Sequence, residues 1–135
     1  VGFLGNLSLA DSEGIIKYRK NVMKTNAGHM GAIMDILKNH LPLETHVVDH
    51  ARSINQNSKM ILSIFPKGSD SGDTKAKTSI WKNWSKFETV SKAFVRESAK
   101  LVKVAESGDM KAFAKQVRAT GKTCGGCHKH FKERE

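Results

Sequence analysis

A chain of 135 residues is large enough to bury one core but too small for two comfortable ones, so a single domain is expected. With 39% hydrophobic residues, 27% charged residues and only 2 prolines, the composition is that of an ordinary soluble globular protein, and no apolar run approaches the roughly 20 residues of a membrane span. The formal net charge of +10 fits an acidic protein partner, an anionic surface or a solvated basic exterior; nucleic-acid recognition is disfavoured, because the basic residues spread from Lys17 to Arg134 instead of forming one stripe with interleaved aromatics.

Residues 1–10, VGFLGNLSLA, read either as the tail of a secretory signal or as an N-terminal arm, and the folded domain is expected over 11–135. From Ser12 to about His40, Ile15, Ile16, Val22, Met23, Met30, Ile33, Met34 and Leu37 recur at the spacing of one helix face. Ser12 is the expected N-cap, and Pro42 bars continuation. A second periodic run joins Val47, Val48, Ala51, Ile54, Ile61, Leu62 and Phe65, and the breakers from Pro66 to Asp73 end it in a long loop. A third links Ile80, Trp81, Trp84, Phe87, Val90, Phe94, Leu101, Val104 and Ala105, closing at Gly108, with Asp109 poised to cap the next helix. The fourth carries Met110, Phe113, Val117, Cys124, Cys127 and Phe131 on its apolar face. Four amphipathic helices with no strand pattern predict an all-α, antiparallel four-helix bundle.

The chemistry concentrates in Cys124-Gly125-Gly126-Cys127-His128. Thiols at i and i+3 on a helix point to nearly the same side, so they can bond the two vinyl groups of one haem, and the adjacent imidazole of His128 can bind its iron. Gly121, Gly125 and Gly126 cost about 1 kcal/mol each in a helix against Ala, but they let a flat macrocycle approach the backbone. A thioredoxin-like redox pair would open a helix after a strand, and no such strand precedes Cys124. A zinc site would need His128 and His130 to converge, whereas two positions apart they face nearly opposite sides of a helix.

The segment from Cys124 to Lys132, the run Tyr18-Arg19-Lys20-Asn21-Val22-Met23, Phe65-Pro66-Lys67-Gly68 and the pair Ile80-Trp81 together resemble the class II c-type cytochromes, the cytochrome c prime family. The resemblance covers nearly everything after residue 11. It implies a four-helix bundle with haem c near the C-terminal end, a periplasmic location after export, and often a homodimer built from the first two helices. It also implies that Arg19 meets a haem propionate and that Lys132 occupies a basic position four residues after the haem histidine.

Members of that family divide between six-coordinate iron with a methionine ligand, suited to electron transfer, and five-coordinate iron with an open distal pocket for nitric oxide or carbon monoxide. In an up-down-up-down bundle the first and last helices are antiparallel neighbours, which sets Met23 near His128. Met30 and Met34 lie roughly 10 and 16 Å further along the same face and are expected to be too distant, with Met60 and Met110 elsewhere. The family's distal position also falls on Met23. His29, His40, His46, His50 and His130 are expected to be solvated, and Trp81, Trp84 and Phe87 to be core aromatics. The resulting expectation is an exported single-electron carrier, not an enzyme, with His128 and Met23 as axial ligands and an acidic redox protein as partner. The alternatives are a five-coordinate gas-binding protein and a haem-free basic helical module.

Overall fold

The computed structural model describes residues 7–134, so most of the expected N-terminal arm, residues 1–6, lies outside the described residues. The first helix, α1, spans Leu9–Lys38. It begins one turn earlier than expected because Ser8 caps it, its hydroxyl accepting the Asp11 N–H at 3.1 Å, and the Asp11 carboxylate favours the same helix end. Ser12 is therefore not the cap: it is buried inside the helix and donates its hydroxyl to the Gly68 carbonyl at 2.9 Å. The expected boundary at residue 11 falls within this helix.

Helix α2 covers His46–Ser58 and does not continue to Phe65. At its end Lys59 and Met60 donate to the carbonyls three residues back, Gln56 and Asn57, and the chain tightens into a 3-10 turn at Ile61–Ile64. The apolar spacing survives that tightening, which is why periodicity alone read one helix. The breaker segment forms the expected loop, with Gly68 and Gly72 at φ of 91° and 111°. The expected third helix is split: a single turn, α3 at Ser79–Lys82, stops at Asn83 (φ −129°, ψ 55°), and α4 then runs Trp84–Ser107. Gly108, left-handed at φ 75°, ends α4, and Asp109 accepts the Ala112 N–H to start α5, Met110–Phe131.

The four long helices form an antiparallel bundle in which α1 packs on α2, α2 on α4, and α4 on α5. Ile33, Val47, Ile54, Leu101 and Phe113 are fully removed from solvent between them. At one end Phe65, Phe87 and Phe131 stack edge to face, with centroids 4.9 and 5.3 Å apart. The Trp81 indole is half-buried and donates to the carbonyls of Phe65 and Pro66. The end of α5 is tied to the loop by Lys77 N–H to the Phe131 carbonyl and Glu133 N–H to the Lys75 carbonyl. Among the described residues every buried side-chain polar atom is hydrogen-bonded, and no helix is long and apolar enough to cross a membrane.

Candidate functional site

Helices α1 and α5 are not among the closely packed pairs; both line a cavity of about 290 Å³. Met23, Asn26, Ala27 and Met30 face it from α1, Ile61 from the 3-10 turn, and Val90, Ser91 and Phe94 from α4. From α5 come Gly121, Thr123, Cys124, Cys127 and His128. The α5 set follows from helical geometry, since positions 121, 124, 127 and 128 recur at three or four residues and share a face. The wall is mainly aliphatic, thioether and aromatic, and both thiols open into it. A wider groove along outer α1, lined by Lys17, Lys20, Lys24 and Asp73, holds neither cysteine.

These residues fit a covalently held haem. Cys124 and Cys127 are free and half-buried. Burial pushes both thiols up, Cys127 to about 11 with Cys124 as the second cause. Protonated, unactivated thiols are the opposite of the low-pKa cysteine that a thioredoxin-like redox pair requires. A Cβ added at Gly125 or Gly126 would meet nothing within 4 Å, but neither lines the cavity; Gly121 is the glycine of α5 that does. Burial, then the charge of Lys132, holds His128 below the usual imidazole range, so it is neutral and carries a lone pair at neutral pH. No group of three or more His, Cys, Asp or Glu side chains suited to a metal ion occurs among the described residues, against the zinc reading.

The structure brings Met23 into the cavity with Cys124, Cys127 and His128. It also brings in Met30, which the sequence placed too far along the helix: the cavity extends along α1, and the Met30 methyl carbon lies 3.9 Å from where a Gly121 Cβ would stand. Met34 is half exposed on the outside.

Arg19 lies elsewhere than on the cavity lining. It is 3% exposed, and its two terminal nitrogens donate to the Ile64 carbonyl, the Ser69 hydroxyl and carbonyl, and the Thr74 hydroxyl at 2.9 to 3.2 Å. Its guanidinium carbon sits 4.4 Å from the Phe65 ring centroid, and burial pulls its pKa down to about 10. It is thus neither a surface arginine nor free of protein partners. The histidines also depart from expectation. His29 and His50, read as solvated, are half-buried and in contact across α1 and α2, with Nδ1 atoms 2.8 Å apart. Sequence spacing carries no signal for a pair 21 residues apart on different helices.

The chain matches the Cytochrome C' family over residues 14–132. It is 35% identical over 124 residues to a cytochrome c' of Rhodospirillum rubrum, covering 91% of this chain and 84% of that protein. It is 29% identical over 120 residues to a cytochrome c-556 of Agrobacterium tumefaciens, covering 88% of this chain and 97% of that one. Among solved structures, cytochrome c prime from Shewanella frigidimarina superposes with a TM-score of 0.85 at 30% identity, over 94% of this chain and all of that one.

Proposed function

Because the chain belongs to the cytochrome c' family and carries haem c bound covalently through Cys124 and Cys127, we propose that it is a periplasmic single-electron carrier whose iron is held by His128 and Met23. The observation that carries this reading is that Met23 and His128, from different helices, line the same cavity as the two cysteines. Haem c supplies a reversible one-electron couple at its iron. The protein's part is to tether, orient and shield. Cys124 and Cys127 on α5 would tether the ring through two thioether bonds. The neutral imidazole of His128 would hold the iron through a ring nitrogen, and a Met23 thioether bound to it would raise its reduction potential. Ile61, Val90 and Phe94 keep the wall apolar, so a change of charge inside is felt strongly.

Arg19 has no carboxylate partner among the described residues, and its bonds go to neutral acceptors. One turn from Met23, its unneutralised charge supports a role as electrostatic counterpart of a haem propionate. The redox partner is an acidic protein, in keeping with the net charge of +10. A homodimer through α1 and α2 is tested by sedimentation equilibrium, a monomer at all concentrations removing it.

A second reading is favoured by the apolar wall around Met23 and Met30: with Met23 unbonded, the cavity would admit nitric oxide or carbon monoxide to five-coordinate iron. Ferrous optical spectra with and without carbon monoxide separate the two. Electron transfer with Met23 ligation is expected to give low-spin spectra that carbon monoxide changes slowly, and Met23→Leu is expected to convert them to high-spin, promptly responsive spectra. A prompt response in the unsubstituted protein, unaltered by Met23→Leu, establishes the gas-binding reading.

A further inference from the structure

The contact between α1 and α2 beside the cavity has no part in holding haem. His29 on α1 and His50 on α2 meet there, half-buried, with Nδ1 atoms 2.8 Å apart and ring centroids 5.1 Å apart. The two nitrogens face each other along one line, so one ring donates its Nδ1–H and the other accepts at a bare Nδ1. This hydrogen bond ties the two helices next to the cavity wall. One turn back along α1, Asn26 lines the cavity and accepts from the Asn57 amide of α2 at 2.9 Å. Met30, which also lines the cavity, follows His29 directly.

We propose that the His29–His50 hydrogen bond is an acid-sensitive clasp, which holds the α1 wall of the cavity to α2 near neutral pH and releases it once both rings are protonated. The first proton from solvent enters at the bare Nε2 of the donating ring, which keeps the bond and gives it a charged donor. The second has only the accepting Nδ1 to occupy. It removes the acceptor, sets N–H against N–H and places two positive rings side by side. The pair therefore titrates in two steps, the second well below the first. Burial, followed by His29 and His46, holds His50 below the ordinary imidazole range, while Asp49 acts the other way. Asp49 is shared with Arg52 at 4.0 Å, and Arg52 also meets Glu106 of α4 at 3.9 Å, with Lys103 of α4 exposed one turn earlier. Between Lys24 and Asp35, α1 carries no charged side chain besides His29. Closed, the pair binds fewer protons than two separate imidazoles, so closure is at full strength above about pH 6.5 and is lost as the pH falls below it. The clasp acts however the haem iron is ligated.

The test compares the holoprotein with a double variant, His29→Asn with His50→Asn, because an asparagine amide places a polar atom where the ring holds Nδ1 and does not titrate. Amide hydrogen exchange, corrected for its intrinsic pH dependence, gives protection factors over residues 25–33. In the unsubstituted protein these are expected to fall by at least about 10-fold from about pH 7.5 to about pH 5, while residues 113–120 of α5 hold theirs and the double variant hardly changes. An equal fall in protein and double variant overturns the proposal, as does an equal fall in α5. If the double variant loses its helical circular dichroism, nitrogen-15 resonances of the unsubstituted ferrous protein under carbon monoxide decide. Two coupled steps for His29 and His50, the second below the ordinary imidazole range, are expected; independent titration of both rings at the ordinary value overturns the clasp.

Discussion

Arg19 illustrates how one residue is decided by partners far along the chain. Its acceptors belong to Ile64, Ser69 and Thr74, 45 to 55 residues away, and nothing in the local sequence announces them. Removing the guanidinium leaves two carbonyls and two hydroxyls without their donor and strips the cation from the Phe65 face. Arg19→Leu is therefore expected to lower unfolding stability by about 3 kcal/mol, the penalty of orphaned buried acceptors outweighing the gain from deleting a buried charge. Arg19→Lys keeps the charge but lacks the planar fork, and about half that loss is expected. Denaturant unfolding of the holoprotein, followed by helical circular dichroism, measures both; a Leu variant as stable as the parent would show that the bonds to the loop contribute nothing net. Other residues were legible for the opposite reason. The two cysteines and His128 are neighbours in sequence, so helical geometry alone puts them on one face. Met30 was misplaced because rise per residue locates a side chain along the axis but does not say how far a cavity extends.

At the scale of elements, the strongest punctuation was read correctly and the weaker marks were not. Gly108 and Asp109 combine a left-handed stop with a side-chain cap, and the structure uses both. Asp109→Ala is expected to cost about 1 kcal/mol by unpairing the Ala112 N–H, and Gly108→Ala about 1 kcal/mol through its positive φ, with open space around the added methyl and therefore no clash. Shifts in denaturant midpoint at constant slope would verify both; a cost above about 3 kcal/mol for Gly108→Ala would point to crowding that the geometry does not contain. The start of α1 was harder, because Ser8 and Ser12 lie one turn apart and either hydroxyl can cap. The difference is tertiary: Ser12 is engaged by Gly68 of the loop, which frees Ser8 for the helix end. The breaks at 59–60 and at Asn83 carry no Pro or Gly, so apolar periodicity ran straight through them.

At the scale of the molecule, the question is what a net charge of +10 does. Among the described residues the ion pairs Lys20–Asp73, Arg52–Asp49, Arg52–Glu106 and Lys92–Glu88 are exposed, and the excess of 23 Lys and Arg over 13 Asp and Glu leaves a long-range positive field. The field matters most where electrons would cross. Lys122 and Lys129 are exposed on α5, flanking the cysteine pair, whereas Lys111 is exposed near the start of the same helix, roughly 27 Å from Lys129 at 1.5 Å per residue. That distance exceeds the Debye length of about 10 Å at 0.1 M salt, so charges at the two ends act on a docked partner separately. With an acidic redox protein, the second-order electron-transfer rate should fall as salt rises, while a neutral small reductant should be indifferent. Lys122→Glu and Lys129→Glu should each slow the acidic partner by about 10-fold at low ionic strength and converge on the parent at high salt, with Lys111→Glu changing it much less. Stopped-flow kinetics across a salt series reads all three. If Lys111→Glu slows the reaction as much as Lys129→Glu, the field acts as a uniform net charge and the partner docks away from the haem-bearing end of α5; if none has an effect, the basic exterior serves solubility alone.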